Sequence, residues 1–464
     1  GSNELKNEIV PLGENENRIE RLSMLEEGVV EYETMEMLPS IIVSLSGYET
    51  GHDKVAILES KRFPATFQVI DSQSGKVVYI GNVEARECSE DDILNSAVAD
   101  FSDLDEPGRY YISTEMLGRS KDFFISDTDR KNRVINVFKS IHSSREAKSM
   151  GQLLVDSTSN VYVNTEGGWI TDKSGGKDVL IACNTVMDML LAYELHPKVF
   201  TDDFGTNESG NLIPDFWDEL IYEAKWLIKM QNPDTGGVYS GVYIPEGKSM
   251  FYVGGEATRT TAYFCATMAR LSSDMARIDA QLSRDCLQAA TRAFDCLSSN
   301  KEIVTAEQMF MAAVEMYKIT GQATYLSVIN DFLSTAKEMD YENRAMLDAA
   351  MTYMNTSRLV NVDFCTRLMQ QFMARTEEKS NAALSSRFYV EPEKSLPQLL
   401  RNATELIVAD NIISNQEYEN IETNYLYYLS GRNHECLDYT KTLENVNQYA
   451  QLLVLVTELA DKNH

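Results

Sequence analysis

Hydrophobic and polar residues change rhythm twice along this chain. Residues 1–37 are polar and rich in Glu and Asn, with too few apolar positions to build a core, and read as an extension. From Leu38 onward, apolar and polar positions alternate in short runs broken by Gly, Pro and Asp-Ser turns, the period-two pattern of half-buried strands. The runs SIIVSLSGY, KVAIL, ATFQVIDSQSGKVVYIG, ADFSDLDEPGRYYIS and DFFIS are spaced as in a sandwich of antiparallel strands. Asp71 to Lys76 is predicted to be a hairpin turn in which Gly75 supplies the positive backbone angle.

After residue 131 the period shifts to three and four. Helices are predicted over 134–140, 178–194, 214–230, 257–271, 277–297, 306–320, 325–337, 343–354, 362–374, 396–408, 416–429 and 443–459. A dozen helices joined by short loops suit a solenoid or a closed ring of hairpins. Solenoids betray a fixed repeat and this sequence has none, so a barrel of paired helices is expected. The domains are then 38–131, a β-sandwich, and 132–464, all helical.

Composition narrows the partners. With 43% hydrophobic and 24% charged residues, the chain has the makeup of a globular protein, and its length supports two cores. Seventy-one acidic against 42 basic residues give a formal charge of −29, a field that repels nucleic acid and anionic lipid surfaces. A neutral glycan is compatible with it. No apolar stretch is long enough to span a bilayer, so no membrane partner is expected. The opening Gly-Ser reads as a cloning remnant. No basic region followed by a hydrophobic one precedes the strands, and location is left open with the cytoplasm ahead of secretion. Seven scattered cysteines form no C-x-x-C pair and five histidines no metal-binding word, so no metal or cofactor is expected. The oligomeric state is not legible.

Several segments resemble glycoside hydrolase family 9. They are SIIVSLSGYETGHDKVAIL, FQVIDSQSGKVVYIG and ADFSDLDEPGRYYI in the strand region, and GGWITDKSGGKDVLIACNTVMDMLLAYEL, NLIPDFWDELIYEAKWLIKMQNPDTGGVYSGV and YYLSGRN in the helical one. The resemblance covers both regions in family order. It implies an immunoglobulin-like β-sandwich followed by an (α/α)6 barrel, and an inverting endoglucanase acting on β-1,4-glucans. Family members read close to G-G-W-H-D-A-G-D-Y-G-K where this chain has Gly167 to Lys177, and the two aspartates that activate the attacking water fall on Thr171 and Ser174. Neither hydroxyl is a base near neutral pH without an activating partner. Asp172 is one place out of frame, and it and Asp178 are the carboxylates nearest in sequence. Inverting hydrolysis needs two carboxyl groups about 6.5–9.5 Å apart, and each positioned acid or base is worth about 10² to 10⁴ in rate.

The family's general acid is a glutamate in a motif like N-E-V-A-I-N-W-N-A, matched here by residues 443–451, with Glu444 as candidate acid and Tyr449 in the aromatic place. Only HECLDYTKTL separates Asn433 from Glu444, where the family carries a longer cleft loop with an H-x-R word. The cysteine- and histidine-rich words that precede the first motif, with the family's metal ligands, are also missing. Trp169 in its Gly-rich loop, Tyr239, Tyr243 and Tyr252 around a second such loop, and Arg432 in the GRN word are candidate substrate contacts. Trp217 and Trp226 share a helix face and are assigned to the core. Asp202, Asp203, Asn207, Glu208 and Asn211 gather oxygens of the kind calcium takes, but without the EF-hand pattern, and are assigned to a solvated loop. Two functions follow as expectations: a hydrolase with Glu444 as acid and another base, or a non-catalytic relative that binds a glycan or a protein through the remnant of the cleft.

Overall fold

The computed structural model describes residues 38–127, 129–336, 338–393 and 395–462; the extension assigned to residues 1–37 lies outside these. The chain divides into two compact units, one taking Glu377–Leu443 together with the chain up to Asp129, the other holding Arg130–Thr376 and Glu444–His464.

The first unit carries β1 (Ile41–Ile42), β2 (Tyr48–Glu49), β3 (Val55–Ser60), β4 (Thr66–Asp71), β5 (Val77–Arg86), β6 (Asn95–Asp100), β7 (Gly108–Thr114), β8 (Gly118–Arg119) and β9 (Phe123–Ser126). They are ordered β1-β3-β6-β5-β4-β7-β9-β2, with β8 beside β7. Residues 77–82 of β5 pair with β4, whereas 83–86 pair with β6, so this one strand passes between the layers. Alternation fixes the faces: Phe67 and Val69 of β4 point inward with Tyr110 and Ile112 of β7 and Phe123 and Ile125 of β9, while Thr66 and Gln68 face out. The predicted hairpin turn is present, Gly75 at φ +70° and Asp71 Oδ1 accepting the Gln73 and Ser74 N–H groups at 2.9 Å. In β3 the alternation is lost because both faces are covered. Ala56 to Glu59 are all buried, and Glu59 meets its partner His434 at 2.8 Å.

Twelve α-helices occur among the described residues: α1 (Arg130–His142), α2 (Val179–Leu195), α3 (Asp215–Lys229), α4 (Thr258–Met275), α5 (Ala280–Ser298), α6 (Ala306–Thr320), α7 (Ala323–Thr335), α8 (Arg344–Asn355), α9 (Val362–Ser385), α10 (Leu396–Ile412), α11 (Gln416–Leu429) and α12 (Val446–Asp461). The caps are chemical. Asp178, Asp279, Thr305, Asn343, Ser395, Asn415 and Asn445 each accept a backbone N–H of the helix they open. α9 continues to Ser385 rather than stopping at 374, because RTEEKSNAALS keeps strong helix formers after its apolar rhythm fades, and Thr376, Ser380 and Ala383 present small buried groups at helical spacing.

In the second unit, side-chain contacts fix helix directions. Asn447 near the start of α12 donates to Asp188 of α2 at 2.9 Å, while His196 after the end of α2 meets Glu458 and Asp461 at the end of α12. Those two helices are therefore parallel. Arg270 and Glu194 pair at the C-terminal ends of α4 and α2, and Glu315 of α6 pairs with Thr352 of α8 one helix further. Helices α2, α4, α6, α8 and α12 thus run side by side with their N-termini at one end. Beyond that end lie Glu444 and the loop containing Thr171 and Ser174.

Candidate active site

The loop from Thr165 to Gly176 leads into β12 (Lys177–Asp178), which pairs with β13 (Gly241–Tyr243) and through it β14 (Tyr252–Val253). Asp178 then caps α2, its Oδ1 accepting the Ile181 N–H at 2.8 Å. Its carboxylate is thereby engaged in ending the loop. Thr171 is 3% exposed. Its hydroxyl accepts the Asp178 N–H at 2.9 Å and donates to the Gly176 carbonyl at 3.3 Å. A hydroxyl can do both at once, whereas an ionised carboxylate would set charge against that carbonyl. Ser174 is exposed and donates its hydroxyl to Asp172 Oδ1 at 2.5 Å and its N–H to the same oxygen at 2.9 Å. Gly176 N–H adds a third bond at 3.0 Å. Burial pushes the Asp172 carboxyl up, but the bonds from Ser174, Gly176 and Gly175 outweigh it and hold it below the ordinary value. A carboxylate so stabilised is a poor base.

Beneath this loop lies a buried charge cluster. Gly168 takes φ +85°, and a Cβ there would come within 2.6 Å of the Trp226 ring, so the Gly-Gly pair of the motif allows the backbone to lie on the indole. Trp169 is 0% exposed. Its N–H donates to Glu223 Oε1 at 2.9 Å and its indole Nε1 to Glu219 Oε2 at 3.1 Å. The expectation that Trp169 offers a face to a ligand is corrected here: it is an internal strut. Glu219 also takes His142 and Arg145, each at 2.7 Å. Burial raises the Glu219 carboxyl, yet these donors prevail and hold it low. Glu223, with one backbone donor and full burial, is instead pushed up to about 8. Lys177 completes the cluster, its ammonium reaching Glu146 at 3.1 Å and the carbonyls of Thr165 and Gly167. Sequence reasoning used the α3 segment for the family resemblance and assigned its Trp217 and Trp226 to the core, and passed over these acids. Their signal was an acidic stripe, Asp215, Glu219 and Glu223 at four-residue spacing, among the apolar residues of α3.

The remaining candidates separate by burial. Glu444 is exposed and precedes the N-cap Asn445 rather than standing in the first turn, and its N–H donates to Gln448 Oε1 at 2.7 Å. Tyr449 is half-buried one turn into α12. Tyr243 is 42% exposed, and Tyr252 lies directly across from it in the β13–β14 ladder, half-buried. Phe251, next to Tyr252, is close to the loop, since a Cβ on Gly175 would stand 3.4 Å from its ring. The loop and the aromatic hairpin are therefore brought together. Tyr239 is buried at 5% exposure, bridged to Glu256 in the backbone, and presents no face to a ligand. Arg432 belongs to the first unit and is also a correction. It is 1% exposed, donates to the Val55 carbonyl and Asn424 Oδ1 at 3.0 Å each, and stacks 5.0 Å from the Tyr427 ring centre. Its guanidinium holds a strand and a helix together.

The acidic loop before α3 is more than a solvated run. Oxygens of Asp202, Asp215 and Asp218 all lie within 4.8 Å of one another. Asp202 accepts the Gly210 and Leu212 N–H groups, and Asp215 Oδ2 those of Phe204 and the Ser209 hydroxyl. Asn211 donates to Asp218 Oδ1 at 2.7 Å, and Glu208 pairs with Arg145 at 2.6 Å. Asp203 and Asn207 face out. Asp215 Oδ1 and Asp218 Oδ2 are buried with no hydrogen bond among the described residues. Burial pushes Asp218 up to about 6; Glu208, Asp215 and Asp202 add to this, against Asn211. Convergent carboxylate oxygens of this kind can hold a hard divalent cation such as calcium.

The order of domains and the words at the loop define a carbohydrate-active scaffold. The chain belongs to glycosyl hydrolase family 9: the profile of that family matches residues 126–444, and that of the cellulase N-terminal ig-like domain matches residues 37–119. Among curated relatives, endoglucanase D of Acetivibrio thermocellus is 27% identical over 342 residues, which are 64% of this chain and 52% of that one. A xyloglucan-specific endo-beta-1,4-glucanase of Bacteroides ovatus is 24% identical over 350 residues, 62% of this chain and 59% of that one. The chain thus spans little more than half the length of these relatives. A solved metagenome-derived glycoside hydrolase family 9 endoglucanase superposes with a TM-score of 0.79 at 21% identity, covering 90% of this chain and 98% of that one. The fold is accordingly an Ig-like β-rich domain followed by the mostly helical family 9 domain.

Proposed function

We propose that this chain is a family 9 member that binds a β-1,4-linked glucan or a related oligosaccharide without hydrolysing it. The observation that carries the reading is the fate of the two positions matching the family aspartates. Thr171 is buried, its hydroxyl fully used between Asp178 N–H and the Gly176 carbonyl, and Ser174 is tied to Asp172. Of the carboxylates nearest in sequence, Asp172 is engaged by Ser174 and Gly176 within the loop and Asp178 caps α2, so neither is free to act as the base opposite Glu444. Binding is supported by the exposed Tyr243 and the half-buried Tyr252 beside the loop, since a tyrosine face suits the apolar face of a pyranose. The names of the curated relatives make β-1,4-glucans and xyloglucan the first ligands to try.

The test is reducing-end release from soluble β-glucans, xyloglucan and cello-oligosaccharides by the purified protein, with Glu444→Gln as control, alongside calorimetric titration of cellohexaose. No release above the control, together with measurable binding, is the expected result. Turnover that disappears in Glu444→Gln would overturn the non-hydrolytic reading, and absence of both turnover and binding would remove the glycan.

A further inference from the structure

The interior of a helical ring ordinarily holds apolar side chains, because ionised groups taken out of water are costly unless paired. The space enclosed by α2, α4, α6 and α8 is charged instead. At its C-terminal end Arg270 is held by Glu194, at 2.9 Å through Nε, and Asp274 beside them is pushed up to about 9 by burial and by Glu194. Towards the N-terminal end Arg344 meets Asp188 at 2.7 Å and Asp348 at 3.1 Å. Between the two pairs stands Glu315, which is 2% exposed. Its Oε1 accepts the Thr352 hydroxyl at 2.7 Å, and its Oε2 is buried with no hydrogen bond among the described residues. Asp188, Glu194, Glu315 and Asp348 thus share this space with Arg270 and Arg344, with Lys318 acting on Glu194 and Glu315.

A slot of about 20 Å³ adjoins Glu315, with room for one water-sized group. Asn184, Tyr263, Thr267, Glu315 and Asp348 supply its polar wall, methionines and alanines the rest, and no lysine or arginine is in its lining. Asn184 and Tyr263 are partly exposed, whereas Glu315 is at the buried side. Both lie in the N-terminal halves of α2 and α4, so the slot opens towards the end occupied by the Thr171 loop and Glu444.

We infer that this slot receives a primary ammonium group, and that the ligand class it selects is a glycan carrying free 2-amino groups. The inference rests on the glycan-binding reading above and specifies its ligand. An ammonium group carries three donors and no acceptor, and the residues lining the slot include three with acceptor oxygens, the carboxylates of Glu315 and Asp348 and the amide of Asn184. A guanidinium, a trimethylammonium or an N-acetyl group is too large for the space. A sugar hydroxyl fits and can donate once to a carboxylate, but it brings one donor instead of three and no positive charge to balance the buried carboxylates. Burial raises Glu315, against Arg270, Lys318 and Thr352, and a cation at Oε2 would reverse that shift. The formal charge of −29 favours encounter with a cationic glycan. Free ammonium ion presents the same chemistry, so the test must separate the two.

The experiment is calorimetric titration at pH 6 of the whole chain with the tetramers of β-1,4-linked glucosamine, glucose and N-acetylglucosamine, and separately with ammonium chloride against potassium chloride. The glucosamine tetramer is expected to bind roughly tenfold or more tighter than cellotetraose, the size of a charged hydrogen bond. Glu315→Gln, which keeps shape and removes charge, should abolish that preference, so that the variant binds the glucosamine tetramer and cellotetraose with equal affinity. Equal affinities in the wild type, or a preference that survives in both Glu315→Gln and Asp348→Asn, would overturn the proposal. Saturable binding of ammonium chloride with no gain from the tetramer would assign the slot to the free ion and remove the amino glycan. If no neutral glycan binds but the glucosamine tetramer does, the slot stands and the neutral-glucan reading falls.

Discussion

Trp169 and Tyr243 belong to one class in the sequence, loop aromatics near a glycan motif, and to opposite classes in the structure. Trp169 is enclosed, and its truncation removes a large buried ring and takes the indole donor from Glu219, while the backbone donor to Glu223 remains. Trp169→Ala is expected to lower unfolding free energy by about 3–5 kcal/mol, read from urea denaturation. Tyr243→Ala should leave that within about 0.5 kcal/mol, yet weaken cellohexaose binding roughly three- to tenfold. The reverse pattern would mean that the glycan contacts the loop and not the hairpin. Thr171 makes the same point from the other side. The motif spacing raised the expectation of a replaced base there, and its two hydrogen bonds show what the threonine does in the loop.

Helices carry their own consequences at their ends. His196, after α2, lies between Glu458 and Asp461 at the end of α12, and although burial lowers the imidazole pKa, the two carboxylates prevail and raise it. A raised folded value means that the stabilisation is fully present below the unfolded pKa of about 6.5 and is lost as pH rises through the folded one. His196→Gln is therefore expected to cost about 2 kcal/mol at pH 5.5 and progressively less at alkaline pH, by thermal melts across that range. An equal loss at every pH would show that packing, not charge, joins these ends. The start of α3 has the opposite sign. Asp218 is raised to about 6, so its ionisation opposes folding above that pH, and the opposition fades as pH falls towards 4. Millimolar calcium is expected to raise the Tm of the parent protein, and Asp218→Asn to abolish that rise while leaving the metal-free protein as stable or more stable at pH 7. A parent Tm indifferent to calcium would show that these oxygens only share protons. Elements themselves were legible where a rhythm or a cap marked them, as at 306–320 and 416–429, both matched by the structure. The end of α9 was not, because its last turns bury small polar groups that no apolar period announces.

Across the molecule, Glu377–Leu443 groups with the strands although it is helical and distant in sequence, and Arg432 shows how: its guanidinium reaches the Val55 carbonyl of β3. No local pattern encodes such a return of the chain. The sequence by itself determined the order of a strand region and a helical region, and the family, because period, turn residues and motif spacing are local properties written into neighbouring positions. Only the tertiary structure decided which candidates can touch a ligand, since burial depends on what packs from elsewhere: it enclosed Trp169, Tyr239 and Arg432 and left Tyr243 in the open. It also folded the loop before α3 so that Asp202 meets Asp215 and Asp218, and set Glu315 beside Asp348 and Asn184 from elements far apart in the chain. A carboxylate's chemistry follows from the charges and solvent around it, and these exist only once the helices have met.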